Sequence, residues 1–284
     1  MTDPKQKDVI ETFMGATIQH GPFSNRIYLM KPSPENPSEL PSALIEMAKE
    51  KGYTKIFAKI PEPQKNTFLE AGFTIEAKVP RMYGNTEDAL FLAYYPNDNE
   101  RSAETDATEL DKIEKLALSK QSNEIAGKDL PLDTIIRRCS PEDAEVMSEI
   151  YRIVFPSYPF PIDDPEYIRA TMATHIEYFC VVKSGSIVAL SSSEMDEEHG
   201  NVEMTDFATH PDHLGNGYAV HLLLEMEAAM RERGIHTAYT IARAVSAGMN
   251  ITFAKCGYEF GGRLKNNTNI SGDIESMNVW YKLL

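Results

Sequence analysis

Cysteine is scarce: the 284 residues contain three, Cys139, Cys180 and Cys256. They are far apart, odd in number and form no CxxC. That argues against a disulfide scaffold or a cysteine zinc site and fits a reducing cytosol. Positive charge is also short, with 28 Lys and Arg against 43 Asp and Glu and a net charge of −15. A surface of that sign repels nucleic acid and mildly favours a cationic substrate. Most of the carboxylates are expected to be solvated surface. No run of about 18 apolar residues occurs, so no membrane span is expected. MTDPKQKDVIETF lacks the apolar stretch of a signal peptide, and the chain is expected to be cytoplasmic. What is left is an ordinary globular profile, 42% hydrophobic and 25% charged, with length enough for two domains.

Order is clearest at 202–234, VEMTDFATHPDHLGNGYAVHLLLEMEAAMRERG. Residues 202–209 alternate and suit a half-buried strand. His210-Pro211-Asp212 ends it, because proline cannot continue a ladder. Gly215 and Gly217 give a turn without side-chain bulk. A helix follows, with Leu222, Leu223, Leu224, Met226 and Met230 as core candidates. Arg231 and Arg233 near its end and Gly234 beyond fit the helix dipole and a glycine cap. A bare turn feeding a helix presents free N–H groups and about half a positive charge, which suits a phosphate. By spacing alone, a plain strand-to-helix connection fits equally well. GxxxxGK[ST] and a full GxGxxG are absent, which argues against a triphosphate loop and a dinucleotide fold. His210 and His213 form HxxH, but Pro211 breaks the helix a zinc motif needs, so no metal is expected.

Residues 1–22 read as an exposed lead-in with a short helix or strand. Next come a strand at 25–31, a helix at 42–51 stopped by Gly52, a strand at 53–60, a short helix at 61–71, and strands at 74–79 and 89–95. The same order returns from 202 to 284. EKGYTKIFAKI parallels ERGIHTAYTIA, and FLEAGFTIEAKV parallels FAKCGYEFGGRL. This reads as an internal repeat of half a fold. In the first copy SPENPSEL replaces the glycine turn, and its two carboxylates would repel a diphosphate. PNDNERSAETDATE opens a polar linker with a helix at 110–119. A strand at 134–138, a helix from Ser140 to about Phe155, a stiff loop PSYPFPIDDPEY and a hairpin at 178–183 and 186–195 precede the strand at 202. A strand at 237–243, a helix at 248–255 and strands at 259–264 and 277–281 close the chain. The expected units are 1–96, a linker at 97–131, and 132–284.

THPDHLGNGYAVHLL resembles the acetyl-CoA pyrophosphate loop of the GCN5-related N-acetyltransferases, Arg/Gln-x-x-Gly-x-Gly/Ala. Leu214, Gly215, Asn216, Gly217, Tyr218 and Ala219 match it with one departure, Leu214 in place of arginine or glutamine. That removes a side-chain contact and leaves the main-chain cradle. Residues 250–258, NITFAKCGY, resemble the Asn-x(6)-Gly-Phe/Tyr end of the family's fourth helix. The resemblance covers about the last 150 residues. It implies an α/β fold: a mixed, mostly antiparallel sheet with a splayed central strand pair, flanked by helices. Here a smaller half-fold domain precedes it. It also implies acetyl-CoA as co-substrate, held by the loop, by the main chain of Phe207, Ala208 and Thr209, and by Asn250. The first domain is expected not to bind coenzyme A, but to complete a sheet, contact substrate or form the surface of a homodimer.

An alkyl ammonium, pKa about 10.4, must lose a proton before it attacks a thioester, at a cost of roughly 4–5 kcal/mol at pH 7. A carboxylate in a partly dry cleft eases this. Glu203 lies eleven residues before the loop motif, where the resemblance places a base. Asp206 falls on the opposite face by alternation. The family's tyrosine acid is replaced by Phe253, which leaves Tyr258, Tyr239 or water to meet the thiolate. Tyr158 and Phe160 are candidates for the acceptor pocket. The C-terminal run and the unusual first half together resemble the beta-lysine N-acetyltransferases. That implies a small diamino acid acceptor, acetylated on its ε-amine to a compatible solute. Its carboxylate would then meet Arg243, Arg152, Arg169 or Arg81. The alternatives are another small amine, a protein lysine, or an acetyl-CoA sensor without turnover.

Overall fold

The computed structural model describes residues 7–33, 38–96, 100–121 and 129–284. Its elements run β1 (Val9–Phe13), β2 (Ala16–Gly21), β3 (Arg26–Lys31), α1 (Leu40–Lys51), β4 (Lys55–Pro61), α2 (Lys65–Glu70), β5 (Thr74–Tyr83), β6 (Glu87–Tyr94) and α3 (Ala107–Leu118). They continue with β7 (Thr134–Arg138), α4 (Ala144–Val154), α5 (Pro165–Met172), β8 (Ile176–Lys183), β9 (Ser186–Asp196), β10 (Asn201–Thr209), α6 (Tyr218–Glu232), β11 (Thr237–Arg243), α7 (Ala247–Lys255), β12 (Glu259–Ile270) and β13 (Asp273–Leu283). The strands form one sheet, β1-β2-β3-β4-β6-β5-β12-β13-β11-β10-β9-β8-β7.

That order reads alike from its centre outward. β3 and β4 are parallel neighbours followed by β6 and β5, as β10 and β11 are followed by β13 and β12. The register repeats as well. Tyr28 stands opposite Phe57 in the first half, and Glu203 stands opposite Tyr239 in the second.

The halves join where β5 meets β12, with Gly262 beside Ala77. Two glycines permit this. A Cβ on Gly262 would lie 2.2 Å from the Glu76 carbonyl oxygen, and one on Gly261 would lie 2.7 Å from that of Lys78. Gly262 also has φ +139°, which L side chains avoid.

Buried charge ties the seam. Lys55 Nζ donates to Glu76 Oε2 at 2.8 Å and to the Lys265 carbonyl at 2.6 Å. Both side chains of the pair are almost wholly out of solvent. The other Glu76 oxygen accepts from the Tyr95 hydroxyl and from the Lys265 N–H. Desolvation lowers the Lys55 ammonium to about 8 even though Glu76 opposes the shift. Arg101, between the halves, donates to the carbonyls of Ser24, Asn25 and Asn266.

Each half keeps its own apolar core. One packs Leu44, Ala48 and Phe68 of α1 and α2 against β3 and β4. The other packs Leu222, Met226 and Met230 of α6 and Phe253 of α7 against β10 and β11. A third cluster is shared, bringing Tyr28, Phe57 and Phe91 against Tyr239, Met277 and Val279.

Several expectations change. Part of the stretch read as a lead-in is β1 and β2, and β2 is largely buried. α5 was not anticipated, although Asp164 caps it and Pro165 occupies its first turn. β12 and β13 run to Ile270 and from Asp273, beyond the expected 264 and 277, because polar KNNTNISGDIES hides a strand pair. Residues 34–37 of the SPENPSEL turn lie outside the described residues, as do 97–99 and 122–128 of the linker.

Removing one partner of a buried pair strands the other charge. Glu76→Gln is therefore expected to destabilise the protein by about 3 kcal/mol or more, read from urea unfolding midpoints. Lys55→Met with Glu76→Leu should recover part of that loss.

Candidate active site

β10 and β11 pair only where residues 201–203 face 237–239. Beyond this, β10 stays with β9 and β11 with β13. The two strands part, and a wedge opens between them. β10 carries a bulge between Thr205 and Ala208, with Asp206 at φ +54°. One extra residue in a strand reverses its alternation. Asp206 thus lines the same cavity as Glu203, and the expectation of opposite faces is corrected. Asp206 is also occupied, since Oδ1 accepts from the Tyr158 hydroxyl at 2.5 Å and Oδ2 from Ser192 Oγ at 2.6 Å.

Two cavities adjoin, with Tyr158, Thr205, Asp206 and Ile241 in the walls of both. The outer one, about 200 Å3, fills the wedge and is lined by Phe207, Thr240, Arg243, Met249 and Phe253. The inner one, about 120 Å3, lies between the halves. There Arg26, Tyr28, Phe57 and Lys59 of the first half face Glu194, Glu203 and Asp206 of the second, with Phe160 also in the wall.

Glu203 sits directly across the ladder from Glu194. Burial, and then the Glu194 charge, push its carboxyl up to about 7. Lys59 and a hydrogen bond with Tyr239 pull the other way. Lys59 Nζ in turn donates to the Tyr239 hydroxyl at 3.0 Å. Burial likewise raises the Asp206 carboxyl, against the bonds from Ser192 and Tyr158.

The turn between β10 and α6 has Gly215 at φ +77° and Gly217 at +79°, with open space where each Cβ would be. These glycines serve backbone conformation rather than clearance. Gly217 is the N-cap of α6, so Tyr218 and Ala219 open the helix with N–H groups that have no intrahelical partner. Asn216 Nδ2 donates to the His213 carbonyl at 2.9 Å and braces the turn. Leu214 is exposed, and the Tyr218 ring packs in the core. His210 caps the Asp212 N–H. Phe207 lies within the bulge and Ala208 and Thr209 follow it, and Phe207 meets the Phe253 ring edge-on.

Three groups of side chains named from the sequence do not line the inner cavity. Asn250 is fully buried and fully used. Its Nδ2 donates to the carbonyls of Arg243 and Ser246, and its Oδ1 accepts from Asn278 Nδ2 and Trp280 Nε1. With no bonding capacity left, it pins α7 to β11 and β13. Tyr258 is buried in the core under α6 and lines neither cavity, so no proton-donor role is carried forward. Of the four arginines, Arg243 lines the wedge and pairs with Glu275, and none lines the inner cavity.

Glu194, Lys59 and Arg26 escaped the sequence reading. The short turn between Asp196 and Asn201 fixes the β9–β10 register, so Glu194 could have been found from it. Lys59 and Arg26 lie in the other half, where only the curl of the whole sheet brings them in.

A bare helix mouth beside a splayed strand pair, with a carboxylate in the adjoining cavity, is the arrangement that acetyl transfer from acetyl-CoA to an amine needs. Residues 147–258 match the Acetyltransferase (GNAT) family. The chain is 38% identical over 266 residues to a beta-lysine N(6)-acetyltransferase of Methanococcus maripaludis, covering 94% of this chain and 95% of that one. It is 31% identical over 265 residues to a beta-lysine N(6)-acetyltransferase of Methanosarcina mazei, covering 87% and 97%. It is 28% identical over 278 residues to the N-acetyltransferase YodP of Bacillus subtilis, covering 98% and 99%. The chain belongs to the GNAT acetyltransferase family and moves acetyl from acetyl-CoA to an amine. Among the described residues no helix is long and apolar enough to cross a membrane.

The Glu203 ionisation should shape the acid limb of kcat/KM near pH 7. Glu194→Gln removes a charge that raises this pKa, so the limb should move to lower pH. Lys59→Met removes one that lowers it, so the limb should move up. A pH–rate profile for each variant reads both signs.

Proposed function

We propose that the chain acetylates the ε-amine of β-lysine, with Glu203 as the base. The inner cavity carries this reading. It is small, lies between two halves of one sheet, and has three carboxylates in its wall. Such a pocket suits a short diamine rather than a peptide laid in a groove. The carboxylates offset two ammonium groups that would otherwise lose their hydration.

Acetyl-CoA supplies the activated acetyl group. The main chain of Leu214, Gly215, Asn216, Gly217, Tyr218 and Ala219 is suited to its diphosphate. Phe207 lines the wedge, and its main chain with that of Ala208 and Thr209 would pair with the pantetheine arm as an added strand. Glu203 takes the proton from the attacking amine. An ordinary carboxylate would do so uphill by about 8 kcal/mol from an ammonium of pKa about 10.4, and a carboxylate near 7 by about 5. Burial thus makes Glu203 a better base than a solvated glutamate. Phe253 stands where the family has a phenol, Tyr258 is buried, the Tyr158 hydroxyl donates to Asp206, and that of Tyr239 meets Lys59, so water meets the thiolate.

The chemistry also gives the product a use. β-Lysine is a net cation that needs counter-ions. Its ε-acetyl form is a neutral zwitterion and can serve as a compatible solute.

Thiol release from acetyl-CoA should be fast with β-lysine and slow with 1,4-diaminobutane or a lysine peptide. Glu203→Gln should lower kcat by about 10²–10³ and leave the KM for acetyl-CoA nearly unchanged. An inert β-lysine beside rapid turnover of the diamine or peptide would contradict the assignment.

A further inference from the structure

The inner cavity holds two polar groups that the proton-transfer chemistry does not use. Arg26 is 4% exposed and Asn267 is 1% exposed, and both line the inner cavity but not the wedge. Arg26 Nη1 donates to the Asn267 carbonyl at 2.5 Å and to Thr268 Oγ1 at 2.8 Å. Its Nε has no partner, and the guanidinium forms no ion pair among the described residues. It lies over the rings of Tyr28 and Phe57 at 5.3 Å and 5.6 Å. Asn267 Nδ2 donates to Thr268 Oγ1, while its Oδ1 has no partner. A buried guanidinium with an unpaired Nε and a buried acceptor without a donor stand in the wall of one cavity. Each is costly alone.

We propose that Arg26 and Asn267 form a head-group subsite, in which Arg26 binds the acceptor's carboxylate and Asn267 Oδ1 its neighbouring ammonium. A guanidinium presents a planar fork that matches a carboxylate, and a side-chain carbonyl oxygen accepts from an ammonium. The competing cation, Lys59, is spent on Tyr239 beside Glu203. Burial lowers the Arg26 guanidinium only to about 10, so it stays charged at neutral pH.

Arg26 on β3 and Glu203 on β10 line the same cavity from opposite halves, so an acceptor held by its head group at Arg26 can present its other end to Glu203. The first half would therefore select for an amino acid over a bare diamine. This rests on the β-lysine reading and names the side chains that would enforce it.

The test is the ratio of kcat/KM for β-lysine to that for 1,4-diaminobutane, which keeps the amine spacing and lacks the carboxylate arm. Wild type should favour β-lysine. Arg26→Gln should cut the ratio on the order of 30-fold or more, with the loss falling on the KM for β-lysine. Asn267→Ala should cut it by about 10-fold, and it decides the matter if Arg26→Gln does not fold. A purely structural Arg26 would change both substrates alike. A wild-type preference that survives these substitutions would overturn the subsite and leave the proposed function standing. A wild type that acetylates only carboxylate-free amines would overturn both.

Discussion

At Gly261 and Gly262 the main chains of β5 and β12 come so close that no side chain fits between them. The rest of the molecule follows from this contact. It joins two half-sheets edge to edge, so that strands remote in the sheet order, β3 and β4 against β9 and β10, can face one cavity. The seam is held by Lys55 and Glu76, a pair whose desolvation would be costly without the extra bonds from Tyr95 and Lys265. Further ties run from the β5–β6 turn to the second half. Asn201 and Thr237 donate to the carbonyls of Met82 and Arg81, and Gly84 N–H donates to that of His199.

Enclosure has an electrostatic consequence. Glu194 and Glu203 face each other across one ladder step in the wall of the inner cavity. Like charges so placed resist ionising together. Lys59, reaching in from the first half, and Tyr239 moderate the strain. The first half thus supplies both a wall and a charge to a cavity whose carboxylates lie in the second.

The strand, turn and helix around Gly215 and Gly217 were legible, because glycines at positive φ leave a mark in sequence. So was the repeated order of strands and helices, through paired stretches such as EKGYTKIFAKI and ERGIHTAYTIA. Asp206 was misplaced because a bulge shifts alternation by one residue without any local signature. Asn250 was misread because an asparagine that clips a helix to a strand looks, in sequence, like one that binds a ligand. In the stretch read as an exposed lead-in with a short helix or strand, the exposed β1 fits and the buried β2 was missed. Arg26 and Lys59 were out of reach for a different reason, since their place at the cavity depends on how the whole sheet curls.

The central claim is that the acceptor sits between the halves while the coenzyme rests on the second half alone. Hydrogen exchange of the protein with coenzyme A, and then with coenzyme A and β-lysine, tests it directly. Coenzyme A should slow exchange at residues 214–219 and leave residues 7–96 unchanged, and β-lysine should then protect β3 and β4. Protection by β-lysine confined to residues 132–284, or by coenzyme A in the first half, would contradict the account.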